Sequence, residues 1–393
     1  MFGYLEGGCL LWHLIRPDAV SVWELDDVKK RLGRYFGIMQ DTRLARYLIA
    51  KKTPLAGEID EDSTMEKLWF LHESARGKFD SLLKKMDEFE VEGEAFKKLE
   101  ELETPKVSFL DLKALIAERI LESCHFCERR CGKNRLEGEK GSCKVGWESY
   151  VSSAFLHYGE ESVLVPSGTI FFSGCTFKCV FCQNYSISQE WLTEEGKVID
   201  GVKVSAKQLA SYARHLEREG ARNINYVGGD PTPNIHTIIN SLRHLDSNIT
   251  QLWNSNFYNS KEAMELLLDV IDFWLPDFKY GNDECAKKYS KVSMYFDAVS
   301  RNHKLAHDLG SGEMIIRHLV MPNHVECCTK PILEWVAENC PKALVNIMGQ
   351  YRPEFIVART KDYPEIKRRP SSKEMRKARK TADDLGVLWE PVS

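Results

Sequence analysis

Cys175-x3-Cys179-x2-Cys182 places three thiols within eight positions of "SGCTFKCVFCQNYSISQ", residues 173–189. Two thiols would suit a redox pair, and four would close a tetrahedral metal site. Three can hold a metal centre and leave one coordination position open. A three-cysteine zinc site would want a nearby fourth ligand such as histidine, and none follows within the loop. The spacing therefore favours an iron–sulfur cluster in which one iron lacks a protein ligand. A second set, Cys124-x2-Cys127-x3-Cys131-x11-Cys143, supplies four thiolates. That is enough for zinc or for a complete four-iron cluster, and spacing does not separate the two. Cys9, Cys285, Cys327, Cys328 and Cys340 show no such spacing and are expected to be structural or incidental.

These motifs need elements to position them. From residue 165 onward, short apolar runs alternate with amphipathic segments: "GTIFFSG", "NINYVGG", "TQLWNSN", "FWLPDFK", "MIIRHLV" and "ALVNIMG". Helices are expected between them at 206–219, 235–245, 260–269, 297–308 and 330–338, with another at 373–384. Buried strands separated by helices of this length imply βα units and a parallel sheet. Six such units would curve into a partial (β/α)6 barrel, an α/β fold, with a doubly wound open sheet as the alternative. Residues 1–120 read as a mostly helical region, with Val22, Leu25, Val28, Leu32, Tyr35 and Met39 at helical spacing. Residues 121–150 form a four-cysteine metal-binding segment, and residues 151–393 the core barrel with its C-terminal helix.

Unusual polar residues fall where these strands end. Cys175 follows the first strand, Gly228, Gly229 and Asp230 follow the second, and Asn254 and Asn256 end the third. Asp277 and Lys279 follow the fourth, Arg317 lies in the fifth, and Gln350 and Tyr351 follow the sixth. Parallel α/β folds carry their active sites on that face.

C-x3-C-x2-C after a first strand resembles the signature of the radical S-adenosylmethionine (SAM) superfamily. "SGTIFFSGCTFKCVFCQNYSISQ", "FWLPDFKY", "IIRHLVMPN" and "NIMGQYRPEF", with "CHFCERRCGKNR" and "LHYGEES" upstream, resemble the PflX-like group related to pyruvate formate-lyase activating enzyme. The resemblance covers residues 121–390. It implies a [4Fe-4S] cluster on Cys175, Cys179 and Cys182, with SAM chelating the open iron. One-electron cleavage of SAM and hydrogen-atom abstraction from a substrate would follow.

The resemblance also implies roles residue by residue. Phe181 would pack near adenine, its other reading being ordinary loop packing. Gly228, Gly229 and Asp230 match the family's "GGE", which contacts the aminoacyl part of SAM, although Asp replaces Glu and a tight turn is the alternative. Asn254 and Asn256 would meet ribose or carboxylate, or serve as strand-end turn residues. Asp277 and Lys279 match a "DxK" whose aspartate belongs to a cation site, against a structural ion pair. Arg317 would face the site, against a salt bridge within the barrel. A low-potential electron donor such as ferredoxin or flavodoxin is implied, as is a protein glycine as one candidate substrate. The resemblance assigns no role to Cys124, Cys127, Cys131 and Cys143, which precede the loop and lack the proline-terminated motif of the family's extra clusters. Their spacing alone gives an auxiliary Fe–S cluster or zinc. His157, His215, His303 and His318 are expected to be packed or surface residues.

Composition narrows the field. Eighteen Phe, 14 Tyr and 9 Trp suffice for a full core, and a net charge of −4 provides no global field for nucleic acid. No apolar run approaches the length of a membrane span, and the opening lacks a basic n-region and a cleavage site. The chain is expected to be cytoplasmic. No phosphate loop or dinucleotide fingerprint occurs. The competing function is a non-catalytic metal-stabilised module that contacts nucleic acid through zinc knuckles and the basic stretch 361–384. That stretch reads first as a solvated helix capped by Ser371 and Glu374.

Overall fold

The computed structural model describes residues 12–59 and 62–393, so Cys9 lies outside the described residues. Its strands, in chain order, are β1 (Ser149–His157), β2 (Ser167–Phe172), β3 (Val202–Val204), β4 (Asn223–Gly228), β5 (Thr250–Ser255), β6 (Phe273–Pro276), β7 (Ile315–Leu319) and β8 (Leu344–Met348). β2, β4, β5 and β6 are successive parallel neighbours, and β7 pairs in parallel with β8. Parallel bridges from Trp274 to Met314 and from Asp277 to Arg317 carry the ladder from β6 to β7. The six strands thus stand side by side in chain order. A doubly wound sheet would place its first strand in the middle and reverse direction there. Winding in a single sense makes a partial (β/α) barrel.

The expected helices form at Ala206–Arg218, Ile235–Leu242, Lys261–Leu267, Tyr295–Leu309, Lys330–Asn339 and Ser372–Asp384. Ser205, Ser260 and Ser371 each accept a backbone N–H from the first turn, and the Ser371–Glu374 capping box is present. An unforeseen helix, Asp283–Ser290, follows β6. Also unforeseen, β1 and β3 add an antiparallel edge beside β2. The serines of "SYVSSAFLH" blunt the alternation that would have marked β1 as a strand.

Because side chains alternate across a strand, the barrel's inner face is legible residue by residue. At its lower end Leu252, Phe273, Leu275, Ile315 and Leu344 pack with Val22, Trp23, Val28, Leu32 and Tyr35. The N-terminal helices therefore close the bottom of the barrel. Two residues further along each strand, on the same face, stand Asn254, Asp277, Arg317 and Asn346. An apolar floor supports a polar layer.

A buried ion cluster ties the remaining N-terminal helices to the barrel's flank. Asp269 lies 2.7 Å from Lys113, 3.2 Å from Arg76 and 3.9 Å from Arg46. Burial would raise the carboxyl of Asp269, but these three cations outweigh it and hold it well below the usual carboxylate range.

Candidate active site

The loop after β2 carries the three thiols, and other elements grip each sulfur. Cys175 Sγ accepts from the Phe177 N–H at 3.3 Å. Cys179 Sγ meets Ser290 Oγ at 2.9 Å, and Cys182 Sγ meets Ser188 Oγ at 3.2 Å. The backbone anchors the loop too, with Lys178 N donating to Ser290 O and Val180 N to Tyr289 O. Burial pushes the Cys175 thiol up, and it pushes Cys179 to about 12, with the Cys182 thiol adding to the effect.

The thiols open onto a cavity of about 260 Å³ at the C-terminal ends of the strands. Phe181, Gly228, Gly229, Asn254, Asn256, Asp277, Lys279 and Arg317, all expected from the sequence, line it together with Gln350. Parallel register explains the convergence: Gly228 stands opposite Phe172, Ser255 opposite Pro276, and Arg317 opposite Asn346. Asp277 pairs with Lys279 and with Arg317, whose Nε lies 3.2 Å away, and Arg317 also donates to Asn254. Burial would raise the carboxyl of Asp277, but those two cations hold it below its ordinary value. The Asn254 amide nitrogen is buried without a partner, leaving a donor available at the wall. Phe181 packs edge-on to Tyr351 at 5.5 Å. Gly228 has φ +122°, and a Cβ there would sit 2.1 Å from the Phe172 nitrogen. A Cβ on Gly229 would sit 2.1 Å from the Gly174 carbonyl oxygen. Gly228 therefore admits the end of β2 and Gly229 the start of the cysteine loop, while both line the cavity.

Asp230 departs from the role expected of it. Its carboxylate is buried and turned from the cavity, accepting from Thr176 Oγ1 at 2.5 Å and from Thr232 Oγ1 at 3.0 Å. Asn256 donates to the same Thr176 hydroxyl at 2.8 Å. Asp230 thus braces the residue beside Cys175. The short aspartate side chain finds one hydroxyl donor in its own turn, Thr232, and another in the cysteine loop, Thr176, a long-range contact that sequence alone did not reveal. Of the histidines, His303 and His318 are buried and pushed down to about 4 by that burial, as expected of packed residues.

Cys124, Cys127, Cys131 and Cys143 converge on a cavity of about 20 Å³, walled also by Arg135, Thr176 and Thr232. Arg135 is buried and reaches to 3.7 Å from Cys124 Sγ. Thr176 therefore stands between the two cysteine sets. Elsewhere, Cys285, His324 and Cys327 bring their ligand atoms within 4.8 Å of one another. Sequence spacing leaves Cys285 and Cys327 as structural or incidental, without grouping them. The helix that places Cys285 and the turn that places Cys327 belong to different βα units, so no local spacing announces the trio.

A profile of the radical SAM superfamily matches residues 169–336. The uncharacterized protein MJ0674 of Methanocaldococcus jannaschii is 45% identical over 366 residues, covering 92% of this chain and 100% of that protein. Among solved structures, Streptococcus suis SuiB bound to S-adenosylmethionine matches with a TM-score of 0.39 and 17% identity, over 55% of this chain and 47% of SuiB. A radical SAM methyltransferase from Sphaerobacter thermophilus matches with a TM-score of 0.42 and 12% identity, over 57% of this chain and 65% of that one. Among the described residues, no helix is long and apolar enough to cross a membrane.

Proposed function

This chain carries a radical SAM superfamily domain and belongs to one family with MJ0674, and from that premise we propose that Cys175, Cys179 and Cys182 hold a [4Fe-4S] cluster at which SAM serves hydrogen-atom abstraction. The observation that carries the reading is the single cavity on which three thiols, two side-chain-free glycines and a partnerless Asn254 amide converge. When bound, the reduced cluster and SAM supply one-electron cleavage of the sulfonium and removal of a hydrogen atom from substrate. The chain's own residues hold and orient. Ser290 and Ser188 hydrogen-bond two of the sulfurs, Phe181 offers an apolar face, and Gly228 and Gly229 allow close backbone approach. Asp277, Lys279 and Arg317 form a fixed charged wall. Superfamily members generally take the electron from ferredoxin or flavodoxin.

A second cavity of about 640 Å³ shares Arg317, Met348 and Gln350 with the first, and it is the proposed seat of the substrate. Glu160 and Glu161 line it. Glu160 lies 3.6 Å from Arg317, and Glu161 accepts from Asn346 at 2.8 Å. The other Glu161 oxygen is buried without a partner. The PflX-like motifs make a protein glycine, as in the activating enzymes, the first substrate to try. Wild-type protein reconstituted anaerobically with iron and sulfide and then reduced is expected to convert SAM to methionine and 5′-deoxyadenosine. Deuterium from a labelled substrate should enter that 5′-deoxyadenosine. A full cluster that binds no SAM would sink the reading.

For the four-cysteine site we propose an auxiliary cluster. Four thiolates can complete a four-iron cluster as well as a zinc tetrahedron, and the neighbouring three-cysteine loop, read as an iron–sulfur site, favours iron. Replacing all four by alanine is expected to remove one centre and leave the spectrum of the three-cysteine cluster intact. Zinc that persists through iron reconstitution would overturn the assignment.

Asp230→Asn separates bracing from cofactor contact. It is expected to cost about 1–3 kcal/mol of stability through lost hydroxyl partners, read by denaturant titration. SAM affinity in the folded protein should stay within about threefold, a difference below 1 kcal/mol. A tenfold loss of affinity at unchanged stability would place the carboxylate on SAM instead.

A further inference from the structure

We infer that Cys285, His324 and Cys327 form a three-ligand site for a zinc-class ion, leaving the fourth tetrahedral position to solvent, separate from both cysteine sets described above. The ligand atoms of the three lie within 4.8 Å of one another. Both thiols are free. Two sulfurs and an imidazole, without a carboxylate, select a soft or borderline ion over magnesium or calcium.

The local structure is built to bring these groups together. Asn282 caps the helix Asp283–Ser290 by accepting from the Cys285 N–H at 2.8 Å, and its amide donates to the Cys327 carbonyl at 2.8 Å. Gly281 lets the two segments meet, because a Cβ there would sit 2.8 Å from the Cys327 oxygen and 2.9 Å from Cys328 Cα. Cys327 and Cys328 occupy a π-helical turn, Val325–Thr329, a widened geometry found mostly at functional sites. His324 Nδ1 lies 2.7 Å from the Pro322 carbonyl, to which it donates, so the Nε2 lone pair remains for a metal. A backbone carbonyl holding the far nitrogen is the usual support for a ligating histidine.

The helix that begins at this site ends at the three-cysteine loop. Ser290, its last residue, meets both Cys179 Sγ and the Tyr280 hydroxyl. Tyr289 and Ser290 carbonyls accept the Val180 and Lys178 N–H groups. An ion at Cys285 would therefore pin the platform on which Cys179 rests. The metal assignment itself does not depend on the SAM reading.

The test is the metal content of the full chain purified anaerobically, measured for wild type, Cys285→Ser, His324→Gln and Cys340→Ser. One zinc equivalent is expected in wild type and in Cys340→Ser, falling at least tenfold in the other two, with iron after reconstitution unchanged. Should those variants fail to fold, cobalt added to iron-reconstituted protein with Cys124, Cys127, Cys131 and Cys143 changed to alanine decides. Thiolate-to-cobalt absorption in the difference spectrum, abolished when Cys285 and Cys327 are alkylated first, supports the site, and its absence overturns it. Zinc equal in all four proteins, or a Cys285 disulfide found on alkylation without reductant, also overturns it.

Discussion

Cys179→Ala is expected to end SAM cleavage altogether while leaving the barrel folded. Three thiolates are the minimum that leaves a four-iron cluster one open iron, so losing one exposes a second iron to solvent and oxidation. The fold should tolerate the change. Cys179 lies in the loop at the strand ends, outside the six-strand ladder, and Ser290 keeps its 2.6 Å bond to Tyr280 when the sulfur is gone. Removing one buried heavy atom costs on the order of 1 kcal/mol. No 5′-deoxyadenosine should form, the signal of the reduced cluster should vanish, and far-ultraviolet circular dichroism should match wild type. Cys340→Ala, a buried thiol in none of the three groups, serves as control and should retain both signal and turnover. Undiminished cleavage by Cys179→Ala would mean that the three-thiol loop is not the site.

Asp269→Asn should be the most damaging single change to stability, at about 3–5 kcal/mol. One carboxylate answers Lys113, Arg76 and Arg46, which reside on three N-terminal helices. Neutralising it leaves Lys113 and Arg46 buried without a carboxylate partner, while Arg76 keeps Glu265. Burial already draws Lys113 down to about 8, so this lysine would shed its proton more readily still in the variant. The pH dependence has a definite sign. Asp269 is held below its ordinary value of 3.8, so its contribution is present above about pH 4 and is lost as pH falls further. Wild type should therefore lose stability below pH 4 more steeply than Asp269→Asn does. Denaturant midpoints across pH 2–7 would show this, and parallel curves for the two proteins would refute it. Replacing Asp269 and Lys113 together by apolar residues should recover much of the loss, because no buried charge then stands alone.

Much of this protein is legible in its sequence. The three-cysteine loop is a local motif, and local spacing fully constrains which sulfurs can share a centre. The six parallel strands were legible because strands buried on both faces are short, apolar and separated by amphipathic helices. Asn254, Asp277 and Arg317 could be anticipated on one face because strand ends in a parallel sheet gather at one side. What tertiary structure decided depends on contacts between distant segments. The winding sense follows from β6 pairing with β7 through Trp274 and Asp277, which no hydrophobic pattern encodes. The N-terminal helices carried no visible chemistry, yet Trp23 and Tyr35 close the barrel floor beneath the polar layer. Asp230 turned toward Thr176 because a short side chain takes the nearest donors. Cys285, His324 and Cys327 meet only because Gly281 permits a backbone approach that any side chain would block. Local motifs determine what chemistry is possible, and long-range packing determines which residues stand close enough to share it.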